Sequence, residues 1–273
     1  MLGSPWIAAL AALFLWWFST GAILMTVRRT EHEGTNARKW AVLMNLPFLI
    51  LGAAGFLDTL GNASVAGAYI GFLAALALWG WGELTFLTGV ITGPYRGPAK
   101  AGAPEWERFI RAWGTVAYHE FLLFGMLLAM LYASWGAENQ FGTWTFGILF
   151  AARISAKLNL YLGVRKINLE FIPEHLTHLA SHFRVARMNA LFPLSVTGLG
   201  LAFACWLGQL WIPDATPGET VGFALLAALT ALALLEHWCM VLPLHDEKLW
   251  RWMLPEPPPR LRPRDTTPDQ TIK

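Results

Sequence analysis

Cysteine is almost missing from this chain. It has two, Cys205 and Cys239, both inside apolar stretches and not spaced as a disulfide framework or a metal knuckle, so they read as small core residues. Charge is scarce as well. Charged residues make up 14% and the net charge is only +2, too little for an ordinary soluble domain and too little to suggest a nucleic-acid partner. There is no P-loop, no GxGxxG, no GxSxG, no H-E-x-x-H and no E-x-x-H repeated on two helices. Phosphate-cradling loops, nucleophile elbows and the strongest metal-site signatures are therefore absent. No internal repeat stands out. The start, MLGSPW, has no basic n-region, and the apolar run behind it ends at Arg28 and Arg29 without an A-x-A site, so the first apolar span is expected to be retained.

What is abundant is apolar surface. Hydrophobic residues are 55% of 273, mean hydropathy is +0.44, and tryptophan occurs 15 times, as in proteins whose indole rings sit at bilayer interfaces. Spanning a bilayer takes about 20 mostly apolar residues. Seven stretches qualify, roughly Pro5 to Val27, Trp40 to Leu60, Val65 to Thr92, Thr115 to Trp135, Thr143 to Gly163, Leu191 to Trp211 and Thr220 to Leu244. The expected fold is an all-α polytopic membrane bundle over 1–254, with a proline-rich, charged tail over 255–273 that cannot bury a core and is expected to be disordered.

Basic residues set the expected orientation. Of the 20 Lys and Arg, all but Arg153 and Lys157 fall in alternate loops or the tail, and the loops near Asn62, Asn139 and Asp214 hold none. The positive-inside rule then places the N-terminus outside and the C-terminus in the cytoplasm.

The stretch from Ala151 to Phe183 organises the rest. Arg153 and Lys157 stand one helical turn apart inside a span, where cations are expensive and must be paired. Past them, Pro173 at a first helical position and Glu174 in the first turn predict an amphipathic cytoplasmic helix over about 172–187. In α-helical register Ile172, Leu176, Leu179 and Phe183 make one face, and His175, His178 and His182 a neighbouring one. Counting 1.5 Å per residue inward puts Glu83, Lys157 and Glu236 at one depth, Arg153 deeper, and His119 and Glu120 shallower. His237 joins that layer.

Two readings of the layer follow. In one, Glu83, His119, Glu120, Glu174, His175, His178, His182, Glu236 and His237 are candidate ligands for iron, manganese or zinc, with Arg153 and Lys157 as charge partners. In the other, Arg153 and Lys157 neutralise Glu83, Glu120 and Glu236 in a buried ion network. Met126 and Met130, near Phe121 and Phe124, read as helix packing in either case.

At AKLNLYLGVRKINLEFIPEHLTHLASHF the chain resembles the PuhE family, photosynthetic complex assembly proteins of purple phototrophic bacteria. The resemblance rests on KLN at Lys157 to Asn159, LGVR at Leu162 to Arg165, EHL at Glu174 to Leu176 and EHW at Glu236 to Trp238. It implies a multi-pass protein of the bacterial inner, intracytoplasmic membrane that supports assembly of the reaction centre and core antenna, or supplies bacteriochlorophyll to them. Reaction-centre and antenna subunits or other assembly factors would be its partners, alongside pigment and membrane lipid. The resemblance carries no catalytic residues. The alternative is a membrane-embedded, diiron-type oxidoreductase acting on a tetrapyrrole or another lipid-soluble substrate.

Overall fold

The computed structural model describes residues 2–31, 33–169 and 172–242. The expected disordered tail over 255–273 lies outside the described residues, as does the end of the last expected span. Nine α-helices and one 3₁₀ helix are seen among those residues: α1 (Pro5–Glu31), α2 (Thr35–Met44), α3 (Leu46–Thr59), α4 (Val65–Leu87), α5 (Glu105–Gly114), α6 (Ala117–Ala133), α7 (Phe141–Leu162), η1 (Glu174–His182), α8 (Leu191–Gln209) and α9 (Pro217–Cys239).

The chain is a helical membrane bundle. Among the described residues five helical stretches are long and apolar enough to cross a membrane, namely α1, α2 with α3, α4, α8 and α9, and a sixth if α5 and α6 are counted together across their 66° bend. The remaining stretch among the seven expected is α7, whose 22 residues carry Arg153 and Lys157. It packs between α4, α9, α6 and α8, so its cations enter a protein interior instead of facing lipid.

The second span is broken at Asn45. Pro47 stands two residues inside α3 and has no amide hydrogen to donate, so the ladder cannot run on from α2. The Asn45 side chain caps the break by donating to the Ala41 carbonyl at 2.9 Å.

α4 and α9 form the centre, touching each other and both α1 and α7. Without a hydrophobic driving force between helices in lipid, close backbone approach must hold them. The sequence supplies it with small residues. A Cβ on Gly142 would come within 3.0 Å of the Gly71 carbonyl, and one on Gly222 within 2.3 Å of the Phe141 ring. Phe72, Leu76, Phe141, Val221, Leu225 and Leu229 fill the space beside these contacts, and Met130 packs with Phe56 and Leu123 in a second cluster that Met126 flanks. Most buried threonines spend their hydroxyls on their own helices, as Thr85 does on the Gly82 carbonyl at 2.6 Å and Thr230 on that of Leu226 at 2.7 Å, while Thr143 donates to Ser134 Oγ at 2.9 Å. That satisfies them where no water is available.

α7 and α8 are joined through two asparagines. Asn189 Nδ2 donates to Asn159 Oδ1 at 3.0 Å and to the Gly163 carbonyl at 2.8 Å, while its Oδ1 accepts from the amides of Leu191 and Phe192 at 2.8 and 3.0 Å. Asn159, fully buried, donates in turn to Ser195 Oγ and the Ser155 carbonyl, each at 2.9 Å. Asn189→Ala removes a helix cap and strands part of this network, and is expected to cost about 2–3 kcal/mol. Thermal unfolding in detergent will read it, and a loss below about 0.5 kcal/mol would remove the network from the structural account.

Candidate functional site

Four helices bring the intramembrane charges together. Arg153 and Lys157, at i and i+4, leave α7 on one face. Arg153 Nη2 donates to Glu83 Oε2 on α4 at 2.7 Å, and the Lys157 ammonium donates to Glu120 Oε1 on α6. Lys157 also lies 5.1 Å from the centroid of the Phe86 ring, and the His119 ring packs against that same ring at 4.7 Å between centroids. Both carboxylates are buried. The pairing answers the desolvation problem that the sequence poses at this depth.

The pairs line a cavity of about 790 Å³, within the range of sites that hold cofactors and other small molecules. Its body is apolar, walled by Trp16, Ile23, Leu76, Trp79, Leu149 and Leu229, and Glu83, Glu120, Arg153, Lys157 and Glu236 form one polar zone in it. The side chains of Leu176, Leu179, His182 and Phe183 close the end nearest η1, with Phe109 and Trp113 of α5 also in the lining. Several polar atoms of this zone have no hydrogen bond: Glu83 Oε1, Glu120 Oε2 and Arg153 Nε are all shut off from solvent. Polar groups of a bound molecule would find donors and acceptors there.

The histidines part company. His237 is committed, its Nδ1–H donating to the Ala233 carbonyl at 2.8 Å, which leaves Nε2 to accept from the Ser155 hydroxyl at 2.9 Å. His119 is fully buried with both ring nitrogens lacking hydrogen bonds, its Nε2 3.8 Å from Glu83 Oε1. Adjacent residues on a helix point about 100° apart, so Glu120 and His119, like Glu236 and His237, serve different surroundings.

The expected amphipathic α-helix over 172–187 is corrected: it is the 3₁₀ helix Glu174–His182. With 3.0 residues per turn, side chains at i, i+3 and i+6 eclipse. Leu176 and Leu179 therefore share their stripe with His182, which is buried and donates from Nε2 to the Gly97 carbonyl at 3.1 Å. His175 and His178 make a separate stripe with Ser181. The three imidazoles do not form one face.

Burial, and then the Arg38 charge, hold the His175 pKa below its ordinary value; Glu31 opposes this. For His178 burial again leads, followed by His182 and Arg96. The folded chain thus binds fewer protons than the unfolded one just below the ordinary histidine pKa of 6.5, and stability rises with pH through that window. Amides of η1 are expected to exchange faster at pH 5.5 than at pH 7.5 after correction for intrinsic rates; equal protection at both values would overturn the prediction.

Glu174 is exposed on η1, its amide donating to Glu31 Oε1 at 2.9 Å. Among the described residues no three His, Cys, Asp or Glu side chains come together closely enough to hold a metal ion. One element escaped the sequence reading altogether. α5 carries Trp106, Phe109, Ile110 and Trp113 on one face, all exposed, with Arg108 and Arg111 paired to Glu105 and Glu107 at 2.8 and 2.7 Å. That is the pattern of a helix lying in a membrane interface, and the i, i+3, i+4, i+7 spacing of its apolar residues was the signal for it.

A family profile described as "Protein of unknown function (DUF3623)" matches residues 2–260. Among curated proteins, an "Uncharacterized 30.4 kDa protein in puhA 5′region" of Rhodobacter capsulatus is 51% identical over 255 residues, covering 93% of this chain and 92% of that protein. No solved structure matches.

Proposed function

Because the chain belongs to the DUF3623 family, and a relative from the puhA 5′ region of Rhodobacter capsulatus matches it over nearly its whole length, we propose that it is an inner-membrane assembly factor for the photosynthetic reaction centre and core antenna. It does this work by holding bacteriochlorophyll, or a late lipid-soluble precursor, in its intramembrane cavity. The observation that carries the reading is the cavity of about 790 Å³, with apolar walls and one zone of paired charges. Such a lining suits a large apolar ring with a few polar substituents. The engagement of Glu83 by Arg153 and of Glu120 by Lys157 favours a binding site over the diiron-type oxidoreductase, which would need those carboxylates as ligands.

The basic loops at the ends of α1, α4, α7 and α9 face the cytoplasm in this reading, and α5 with η1 lies at that surface. Reaction-centre and antenna subunits would meet the bundle through its lipid-facing helices. α8 is suited to that, since Phe192 is its one buried residue.

The test is pigment retention. The protein is purified in mild detergent from a phototrophic host, beside Ala152→Phe and Leu229→Trp variants that fill the cavity. Extracted pigment per protein is expected to be stoichiometric and to fall at least tenfold in both variants, with unchanged elution from a sizing column. Pigment no higher than in an unrelated membrane protein prepared alongside would sink the binding reading. Crosslinking in the same host that never recovers reaction-centre or antenna subunits would count against the assembly role.

A further inference from the structure

A second, smaller space lies outside the large cavity at the basic end. It holds about 120 Å³, some four water volumes at roughly 30 Å³ each, and so has room for one tetrahedral oxyanion. Arg38 from the first turn of α2, Arg96 from the α4–α5 connection, and His175 and His178 from η1 line it, together with Gly89 and Thr92. Among the described residues no carboxylate is in that lining.

Each contributor is placed by something specific. The 3₁₀ register stacks His175 and His178 on one stripe. Gly89, at φ +73°, lets the backbone come so close to the His175 ring that a Cβ there would stand 2.7 Å from Cδ2, an approach glycine alone tolerates. Both ring nitrogens of His175 are shut off from solvent without a hydrogen bond. Among the described residues neither Arg38 nor Arg96 has a carboxylate partner; Arg38 Nη2 donates to Thr35 Oγ1 at 3.1 Å. The nearby acid, Glu31, is turned to the Glu174 amide. Two arginines, two histidines and Thr92 around one small space make a donor-rich set, with no carboxylate among the described lining residues to engage the guanidiniums.

We propose that Arg38, Arg96, His175 and His178 form a binding site for a phosphate group. Guanidinium pairs recognise phosphate oxygens through paired N–H donors, and imidazole N–H groups add further bonds. The same chemistry is offered by the headgroup phosphate of an anionic phospholipid and by free phosphate. The site is separate from the large cavity, with which it shares Leu176 alone among the described residues.

The experiment uses the full-length protein in a neutral, phosphate-free detergent, with unfolding followed by tryptophan fluorescence while inorganic phosphate is titrated, and in a separate arm phosphatidylglycerol in mixed micelles. At least one arm is expected to raise the unfolding midpoint saturably. Phosphate alone acting identifies a soluble ligand, phosphatidylglycerol alone acting identifies a lipid headgroup, and both acting means the site reads the phosphate group itself. The Arg38→Gln, Arg96→Gln double variant is expected to weaken the active ligand at least about tenfold, and the milder His178→Gln about threefold. A control pair, Arg165→Gln with Arg187→Gln, removes as much charge from exposed positions at the same end and should leave affinity within about twofold. Stabilisation by neither ligand, or an equal loss in the control pair, overturns the proposal.

Discussion

Lys157→Met is expected to destabilise the protein by about 3–5 kcal/mol, because it leaves the Glu120 carboxylate buried without the cation that faces it. Only 10% of the Glu120 side chain and 22% of that of Lys157 are exposed, so water cannot take over the pairing. The loss belongs to the orphaned charge more than to the pair. A double variant, Lys157→Met with Glu120→Gln, should therefore recover most of it and lie within about 1 kcal/mol of the parent. Thermal unfolding of the three variants in one detergent gives the cycle directly. If Lys157→Met alone costs under 1 kcal/mol, Glu120 is not held as an ion by Lys157. Arg153→Met should cost less, since 37% of the Arg153 side chain is exposed to the cavity and Glu83 also has His119 at 3.8 Å.

Gly93→Ala is the second large effect. The α4–α5 connection runs so close to the break between α5 and α6 that a Cβ on Gly93 would stand 2.1 Å from the Gly114 carbonyl and 2.6 Å from the Thr115 carbonyl carbon. Both are backbone, and backbone cannot rotate away as a side chain does. The same crossing carries hydrogen bonds from the Tyr95 amide to the Gly114 carbonyl at 3.0 Å and from the His119 amide to that of Thr92 at 2.9 Å. An added methyl must push these elements apart, at an expected cost of about 2–4 kcal/mol. The damage should be local at first. Thr115 and Val116 line the large cavity, so accessibility of a cysteine placed at Val116 to a water-soluble thiol reagent should rise several-fold in the Gly93→Ala background. Unchanged labelling and an unchanged unfolding midpoint would show that the crossing tolerates a side chain. Gly97, by comparison, meets the hydroxyl end of Tyr95 at 2.8 Å, which can swing aside, and Gly97→Ala should be the milder change.

The two charged residues of α7 show how far sequence carries the argument. Their depth and their one-turn spacing are local properties, so the need for partners was legible from the sequence, and Glu83, Glu120 and Glu236 were the acids within reach. Which acid met which cation was not legible. That depends on how α4, α6, α7 and α9 are rotated about their axes, which is decided by contacts such as Gly71 with Gly142 and Gly222 with Phe141. A helix turned by one residue moves its side chains by about 100°. The 100° between neighbours on one helix separated His119 from Glu120, and packing of α7 on α9 gave His237 to Ser155, where sequence order alone had suggested paired ligands.

The histidine segment was misread for a different reason. Its apolar and imidazole residues fit both 3.6 and 3.0 residues per turn over so short a span. The contacts that hold the segment reach outside it: Glu31 accepts from the Glu174 amide, the Gly97 carbonyl accepts from the His182 ring, and Ser181 Oγ accepts from the Ala99 amide at 2.9 Å.

By itself the sequence determined that this is a helical membrane bundle, where its long apolar helices run, and that charges inside the apolar layer must be satisfied within the protein. Each of these follows from the cost of exposing polar groups to lipid, which acts residue by residue. Tertiary structure alone decided the Arg153–Glu83 and Lys157–Glu120 pairs, the cavity beside them and the cluster of Arg38, Arg96, His175 and His178. Those arise from contacts between residues tens of positions apart, and helix rotation and crossing fix such contacts only when all the small-residue interfaces close together.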